Sequence, residues 1–232
     1  MQGEPKCGRV ALIVMVAAIA FADADLIALA GTFRRGRWVD LRDRALLALG
    51  ITCPARVSEM LVLRESGVVD RNGHVAETWH CAARDNKTKT ATDYAITAEA
   101  RAALEEWLGA RRKSGYRRGD PLFPARGSGE ALSRQGAWAM VKRRCLAAGL
   151  PLRGHSTHSM KHTAVENAYA AFLARQSAGE AGVDPLLDTQ RFSGHKSLMS
   201  LQHYLRPLRA TAKEEASAAA GARARALLEW SE

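Results

Sequence analysis

A single stretch of strand-like sequence interrupts a chain whose other apolar residues repeat at helical spacing. Between Val68 and Ile96 the apolar residues occur in short runs, separated by Asn72-Gly73 and Asp85-Asn86, which are typical of tight turns. The runs are Val68-Val69, Val75 to Ala82 and Thr92 to Ile96. Three short runs joined by two turns predict a small three-stranded antiparallel sheet. The predicted fold class is therefore α+β and mostly helical.

The remaining segments carry the start and stop signals of helices. A predicted helix over residues 10–30 ends near Gly31, and Asp40 is the candidate N-cap of a helix from Leu41 to Leu49. A short helix is expected to begin near Pro54, because proline is tolerated in a first turn. Further predicted helices follow the candidate caps Thr97, Ser133, Asp184 and Ser197, and one more runs from His158 to Arg175.

The chain is basic, with 34 Lys and Arg against 24 Asp and Glu and a formal charge of +10. A basic surface attracts phosphate groups and releases their condensed counterions, so this balance favours a polyanionic partner, above all nucleic acid. With 47% apolar and 25% charged residues, a wholly disordered chain and a multi-span membrane protein are both excluded. The 232 residues suffice for one or two domains.

Cysteine usage and the N-terminus bear on location. The four cysteines lie far apart without a CxxC pair, which argues against a zinc site or a disulfide scaffold and fits a reducing cytoplasm. Lys6 and Arg9 precede an apolar run from Val10 to Ala22 that resembles a signal peptide. The run is too short to cross a bilayer, and its periodicity continues past Asp25, so an uncleaved core helix is the favoured interpretation.

Five short features follow one another in a fixed order. They are Arg56 within Cys53-Pro54-Ala55-Arg56-Val57-Ser58-Glu59, Lys87 in the hairpin, His158-Ser159-Met160-Lys161-His162, Gly194-His195, and Tyr204. Tyr204 stands nine positions after His195, and the intervening elements are of the right type. Together these features resemble the tyrosine recombinase, or phage integrase, family. The resemblance covers roughly Trp38 to Pro207, the whole of that family's catalytic domain.

Such residues suit reversible DNA cleavage without a metal. The reaction needs a nucleophile that keeps the phosphodiester energy in a covalent bond, cations for the phosphoryl oxygens, and an acid for the leaving 5′ oxygen. The resemblance implies that Tyr204 forms a 3′-phosphotyrosine and that Arg56 and Lys161 share the phosphate charge. It also implies Lys87 as the general acid, His158 as the partner of the nucleophile's proton, and His195 as a phosphate hydrogen bonder. No ATP or other cofactor is expected, since each phosphodiester is exchanged for a phosphotyrosine and back.

Two alternatives concern residues of this set. Lys87 lies nine residues before Ile96, as the family's hairpin lysine does before its strand's last apolar residue, but Lys89 remains an alternative general acid. His155, His158 and His162 fall on one side of a helix and suggest a metal. No carboxylate or cysteine stands close enough in sequence to complete a ligand set, so the sequence predicts no metal site.

The sequence departs from the family pattern in several places. Lys161 stands where the family has a second arginine, and lysine keeps the charge but loses the planar two-pronged grip on phosphate. Pro54 replaces a glycine before Arg56, and Ser193 replaces the usual leucine before Gly194-His195. About ten extra residues lie between Phe172 and Asp188, judged by the spacing of the family's elements. The second arginine is the departure that bears on catalysis.

Basic clusters outside these motifs are candidates for contacts to the DNA backbone. They are Arg111, Arg112, Lys113, Arg117 and Arg118 around the end of one helix, and Lys142, Arg143 and Arg144 near the end of the next. The expected partner is double-stranded DNA, with no membrane partner. By analogy with the family, we expect a homotetramer on DNA, with Leu227, Leu228 and Trp230 docking either on a neighbour or on the chain's own core.

The leading hypothesis is a site-specific recombinase that cuts and rejoins DNA, as in integration, excision or resolution of mobile elements. The alternatives are a catalytically weakened or inactive DNA-binding homologue, and a type IB topoisomerase that relaxes supercoils. Three segments are predicted: an N-terminal helical segment over 1–36, a catalytic domain over 37–208 and a helical tail over 209–232. Fewer than forty residues precede Arg37, so we expect a catalytic-domain fragment or a minimal member without the family's N-terminal clamp.

Overall fold

The computed structural model describes residues 18–87 and 89–205. Its elements are α1 (Asp23–Ala30), α2 (Trp38–Thr52), α3 (Val57–Leu61), a 3-10 helix (Glu65–Gly67), β1 (Thr78–Cys81), β2 (Thr92–Ala95), α4 (Ala98–Lys113), α5 (Arg134–Ala147), α6 (Thr157–Ser177), α7 (Pro185–Ser193) and α8 (residues 198–205). The predicted α+β, mostly helical class with a small antiparallel sheet is confirmed. Among the described residues, no helix is both long and apolar enough to span a membrane.

The sheet has two strands in the described chain, so the prediction of three was wrong. β1 and β2 pair antiparallel, with Trp79 opposite Tyr94. Val69 forms only an isolated bridge with Val75. The 3-10 helix ends at Gly67, and the turn at Asp70 begins directly after Val69, with the Asp70 carboxylate accepting backbone hydrogen bonds from Asn72 and His74. Two residues between a helix and a turn are too few to extend a strand.

Most of the predicted helix caps are confirmed. The side chains of Thr97, Ser133 and Asp184 accept hydrogen bonds from backbone N–H groups in the first turns of α4, α5 and α7. Ser197 accepts a hydrogen bond from the backbone N–H of Ser200 at the start of α8. These caps form between residues two or three apart, which is why sequence alone locates them.

The predicted cap Asp40 was wrong. α2 begins at Trp38, so Asp40 lies inside its first turn. Its carboxylate accepts hydrogen bonds from the Arg34 backbone N–H at 3.0 Å and from Arg144 at 2.5 Å. The Asp40 side chain is therefore engaged in an ion pair with Arg144 of α5 and does not cap α2.

The N-terminal segment differs from the continuous helix predicted over 10–30. Within the described residues, 18–22 are not helical and α1 begins at Asp23. The backbone N–H of Ile19 donates to the Gly154 carbonyl at 3.1 Å, and that of Phe21 donates to the Thr163 hydroxyl at 2.8 Å. Long-range bonds thus hold this segment against α6. The predicted boundary at 36/37 stays a prediction, although Phe21 and Leu29 belong to the buried core.

Helix α2 is the central element, because it packs against both α4 and α6. Its buried residues Leu46 and Leu49 join Trp107 and Leu108 of α4 in the main core. A separate small cluster of Val165, Leu201 and Leu205 seats α8 on α6. The predicted tail over 209–232, with Leu227, Leu228 and Trp230, and the end of α8 at Pro207 lie outside the described residues.

The contact of α2 with α6 depends on Gly50. A Cβ atom at position 50 would lie 2.0 Å from Met160 Cε and 3.1 Å from Met160 Cβ. We expect Gly50→Ala to lower the free energy of unfolding by about 1–3 kcal/mol, because overpacking outweighs alanine's better helix propensity. Urea unfolding measures the change.

Gly109 of α4 is the matched control for Gly50. It is also helical, but a Cβ atom at position 109 would meet nothing within 4 Å. Gly109→Ala is expected to raise the free energy of unfolding by up to about 1 kcal/mol. Stabilisation by both substitutions would contradict the close approach at Gly50.

Candidate active site

A cleft of about 410 Å³ gathers most of the predicted catalytic residues. Its walls come from the start of α3, the loop between β1 and β2, the starts of α5 and α6, and α8. Five of the six predicted catalytic side chains line it: Arg56, Lys87, His158, Lys161 and Tyr204. The sixth, His195, lies against Tyr204 with ring centroids 4.8 Å apart. Residues separated by up to 148 positions in sequence are thus brought to one space.

Arg56 is the N-cap residue of α3, where the extended backbone after Pro54 turns into the helix. Its side chain is 30% exposed and Nη1 donates to Glu59 Oε1 at 3.3 Å. Arg56 lines the cleft, and within the described ranges its guanidinium donates no other hydrogen bond to the protein. A fork held at one end is suited to binding two oxygens of a phosphate.

Glu59 is the organising carboxylate of the site, and the sequence analysis did not single it out. Its side chain is 0% exposed. It accepts hydrogen bonds from the backbone N–H of Arg56 at 2.8 Å, the backbone N–H of Lys87 at 3.4 Å and the Tyr94 hydroxyl at 3.3 Å. One carboxylate therefore joins α3 to the hairpin loop and to β2. Its spacing three residues after the N-cap was an available signal, since that pattern is half of a capping box.

Lys87 and Lys89 both line the cleft from the loop between β1 and β2. The Lys87 backbone is tied to Glu59, and its positive charge helps to lower the pKa of His158. Lys89 has φ of 57°, a left-handed conformation that is uncommon for a residue other than glycine. These contacts favour Lys87 as the cation closer to the site, but both side chains are exposed and both reach the cleft.

Helix α6 starts at the cleft, which is lined by its first residues Thr157 and His158. Ser156 caps this helix, and its side chain accepts a hydrogen bond from the His158 backbone N–H. Desolvation within the cleft lowers the pKa of His158, and the charges of Arg56 and Lys87 lower it further. His158 is therefore neutral near pH 7 and able to accept a proton.

Lys161 lies one turn along α6 and is only 5% exposed. It lines the cleft and forms no ion pair within the described part of the chain. Burial lowers its pKa to about 8, with a further contribution from Arg56, opposed by Glu59 and Cys53. A buried ammonium without a carboxylate partner is costly, and an anion in the cleft would supply the missing charge.

The Tyr204 ring contacts two histidines. Its centroid lies 4.2 Å from that of His162 and 4.8 Å from that of His195. Burial raises the pKa of Tyr204, while Arg56 opposes this shift. Burial lowers the pKa of both histidines to about 4. The phenol and both imidazoles are therefore neutral near pH 7.

His155 does not join this group. It is 2% exposed, stacks on Phe21 with ring centroids 5.0 Å apart, and its Nδ1 lies 2.8 Å from the Pro151 carbonyl oxygen. Within the described ranges, no group of three or more His, Cys, Asp or Glu side chains is placed to hold a metal ion.

Arg134 is a cleft residue that the sequence analysis missed. It is the first residue of α5, directly after the cap Ser133, and its charge contributes to lowering the pKa of His158. Nothing local distinguishes it from other surface arginines, because its role depends on the position of α5 against α6. It adds a further cation to the cleft.

Two members of the predicted DNA-contacting set, Arg111 and Arg144, form ion pairs within the fold. Arg111 is 0% exposed and pairs with buried Glu65, while its other donors reach the carbonyl oxygens of residues 117, 120 and 121. Arg144 pairs with Asp40 and with Asp43 at 2.9 Å. Arg111 therefore has no exposed surface with which to contact phosphate, whereas Arg144 is 13% exposed and for it DNA contact stays a prediction.

The other members of that set divide by their contacts. Arg112 pairs with Glu65, Arg118 donates to the Asp70 carbonyl, and Lys142 donates to the carbonyls of Leu152 and His155. Three exposed side chains have no ion pair within the described part of the chain, and for them DNA contact stays a prediction: Lys113, Arg117 and Arg143. Trp38, at the start of α2, contacts Trp107 of α4 and Tyr116 just after that helix. The other end of α2, which leads into the cleft, is about 20 Å from Trp38. The end of α4 therefore lies away from the cleft.

Comparison with known proteins places these observations in context. The family model described as the phage integrase family matches residues 26–210. Tyrosine recombinase XerC of Herpetosiphon aurantiacus is 31% identical over 165 residues, covering 71% of this chain and 47% of XerC. Tyrosine recombinase XerD of Corynebacterium glutamicum is 30% identical over 166 residues, covering 72% of this chain and 48% of XerD. The chain thus spans about half the length of the curated relatives it matches.

A solved structure of similar fold is that of the XerH site-specific recombinase bound to its palindromic difH substrate in a post-cleavage complex. It aligns with a TM-score of 0.61 and 21% identity, covering 88% of this chain and 53% of XerH. At this identity the likeness shows the fold.

Proposed function

We propose that this chain, which belongs to the phage integrase family, cuts and rejoins double-stranded DNA through a 3′-phosphotyrosine at Tyr204. The observation that carries the proposal is the shared cleft, in which Tyr204 lies with Arg56, Lys87, His158 and Lys161. A tyrosine alone is a common packing residue. A tyrosine in a cleft with several cations and a neutral histidine has the chemical groups that phosphoryl transfer needs.

In the proposed reaction, Tyr204 Oη attacks the scissile phosphorus and the bond to the 5′ oxygen breaks. The phenolic proton passes to His158, and Lys87 gives a proton to the leaving 5′ oxygen. Arg56 and Lys161 offset the charge that develops on the non-bridging oxygens. Rejoining is the reverse, with a 5′ hydroxyl attacking the phosphotyrosine. One phosphoester bond is lost and one is gained in each step, so no energy-rich cofactor is consumed.

The proposal extends to partners and to organisation. Site-specific recombination requires two DNA sites in one assembly, and we assign this chain a homotetramer on DNA with residues 37–208 as its catalytic unit. Lys113, Arg117 and Arg143 are the exposed cations assigned to the flanking DNA backbone.

The experiment is covalent trapping on a pool of nicked duplexes of random sequence, which removes the need to know the target. Cleavage next to the nick releases a short strand and leaves the protein attached to DNA, seen as a shifted band on a denaturing gel. Sequencing the trapped DNA reads the target. Absence of any adduct would contradict the proposal, and relaxation of a single-site supercoiled plasmid without recombination would favour the topoisomerase alternative.

A second candidate function rests on Lys161, which stands in place of the arginine of the family pattern. The chain would then bind DNA with weakened or lost cleavage. Lys161→Arg separates the two: a large gain from a nearly inactive parent would support this second function. We expect instead that the variant cleaves within about three-fold of the parent at pH 7, because Lys161 already carries the positive charge there and arginine adds only the second donor of its fork.

The pH dependence gives a sharper expectation for Lys161. A group with a pKa of about 8 carries its charge below pH 8 and loses it above. The cleavage rate of the native protein, measured at DNA concentrations below Kd, should therefore fall by about ten-fold per unit above pH 8. The Lys161→Arg variant should show no such fall, and Lys113→Arg, outside the cleft, should behave like the parent. An alkaline fall that persists in Lys161→Arg would exclude Lys161 as its source.

A further inference from the structure

Ser193 is a buried hydroxyl beside a proposed catalytic histidine. It is the last residue of α7 and only 3% exposed. Gly194 follows with φ of 65° and ψ of 25°, a left-handed turn that brings residue 195 back towards the helix end. The Ser193 Oγ then lies 2.6 Å from His195 Nδ1. The family's usual leucine at this position has no group that can make this bond.

Two proton arrangements are compatible with the contacts of Ser193: its hydroxyl donates to His195 Nδ1, or it donates to the Gln190 carbonyl while Nδ1–H donates to Ser193 Oγ. O–H donors make bonds of about 2.5–3.0 Å, whereas N–H donors to oxygen centre at about 2.9–3.0 Å. The 2.6 Å separation fits the Ser193 hydroxyl donating to Nδ1. The other acceptor for that proton, the Gln190 carbonyl, is 3.3 Å away, so the contact with Nδ1 is the shorter of the two.

A second contact fixes the backbone of the histidine. Gln190 Nε2 donates to the His195 carbonyl oxygen at 3.0 Å. The imidazole of His195 is thus held at Nδ1 by Ser193. The main chain of His195 is held by Gln190, which lies three residues before Ser193 on α7. The imidazole ring also contacts Tyr204, with ring centroids 4.8 Å apart.

We propose that Ser193 is a positioning residue that holds His195 as the Nε2–H tautomer, so that His195 donates a hydrogen bond to the phosphate attacked by Tyr204. When Nδ1 accepts from the serine, the one proton of a neutral imidazole resides on Nε2. An N–H donor is what an anionic oxygen needs, whereas the opposite tautomer would present a lone pair to it. The low pKa of His195 is consistent with a neutral ring.

The inference rests on the proposed function for its consequence in catalysis, but the tautomer itself is measured separately. Nitrogen-15 NMR of the histidine side chains in the full chain distinguishes the two tautomers by their ring nitrogen shifts. We expect His195 in the native protein to be protonated at Nε2, with Ser193→Thr preserving this state and Ser193→Ala producing a mixture. A native ring protonated at Nδ1, or one unchanged by Ser193→Ala, would overturn the proposal whatever the protein does to DNA.

The kinetic arm uses single-turnover cleavage. Ser193→Ala should slow cleavage by about ten-fold to a hundred-fold, less than the loss of a whole donor, with the Kd for DNA changed less than two-fold. Ser193→Thr should restore most of the rate. The matched control is Thr189→Val, which removes another buried hydroxyl of α7, one that donates to the Pro185 carbonyl at 2.6 Å and to nothing else among the described residues.

The outcomes separate the two proposals. Equal losses in Ser193→Ala and Thr189→Val would indicate a merely structural role for Ser193 and would contradict the positioning role. A tautomer that responds to Ser193→Ala in a protein that forms no adduct with DNA would leave Ser193 as the residue that sets His195, and the proposed function would fail.

Discussion

Tyr204→Phe is expected to reduce the formation of a covalent DNA–protein adduct by more than about a thousand-fold, the scale on which loss of a nucleophile acts. The substitution removes one oxygen and keeps the ring that contacts His162 and His195. The Kd for DNA should change little, because the positive residues of the cleft remain. Trapping on the nicked duplex pool and a binding titration measure the two quantities.

The control for Tyr204 is Tyr169→Phe. Tyr169 lies on α6 and packs against the same small cluster that seats α8. Tyr169→Phe therefore also removes a hydroxyl from this region. The Tyr169→Phe variant should retain adduct formation within about two-fold, because substitutions at partly buried positions outside the cleft have small effects. An adduct that persists in Tyr204→Phe, or that maps by peptide mass to another residue, would remove Tyr204 from the nucleophile's role.

Arg56→Ala is expected to slow cleavage by about a hundred-fold to a thousand-fold, comparable to losing one oxyanion donor. Arg56 lines the cleft, and within the described residues its guanidinium donates only to Glu59. Arg56→Lys should recover only part of the rate, because the ammonium restores the charge but not the two parallel donors. Single-turnover cleavage with saturating DNA measures the rate apart from binding.

Arg84→Ala is the matched control for Arg56, because it removes the same charge from the same cleft. Arg84 is 87% exposed and its Nε lies 3.5 Å from Asp85 Oδ2. It should lose less than about three-fold in cleavage rate, since an exposed pair of this kind contributes little. Similar losses in Arg84→Ala and Arg56→Ala would mean that the cleft acts through its total charge, and the specific role of Arg56 would be lost.

Features set by neighbouring residues were predictable from sequence. Thr97, Ser133 and Asp184 cap helices two or three residues away, and Gly194 ends α7, so their signals lie within a short window. The order of the motifs along the chain was enough to propose the cleft residues as one set. Their proximity could not be derived from the sequence, because it depends on α3, α6 and α8 meeting.

Features set by distant partners escaped prediction. Arg111 and Asp40 resemble surface residues in sequence, yet each is buried in an ion pair with another element. Glu59 was within a motif already singled out, but its contacts with Lys87 and Tyr94 span 28 and 35 positions. Charge alone does not tell a fold-forming residue from a ligand-binding one.

The close approach at Gly50 also bears on how the sequence can change over evolutionary time. Met160 lies between His158 and Lys161, so the residue that packs on Gly50 belongs to the segment that supplies two cleft side chains. A larger residue at position 50 requires a smaller one at position 160, or α6 must move and take the cleft residues with it. We therefore expect these two positions to covary in volume among relatives that retain strand cleavage, and to drift independently in relatives that have lost it.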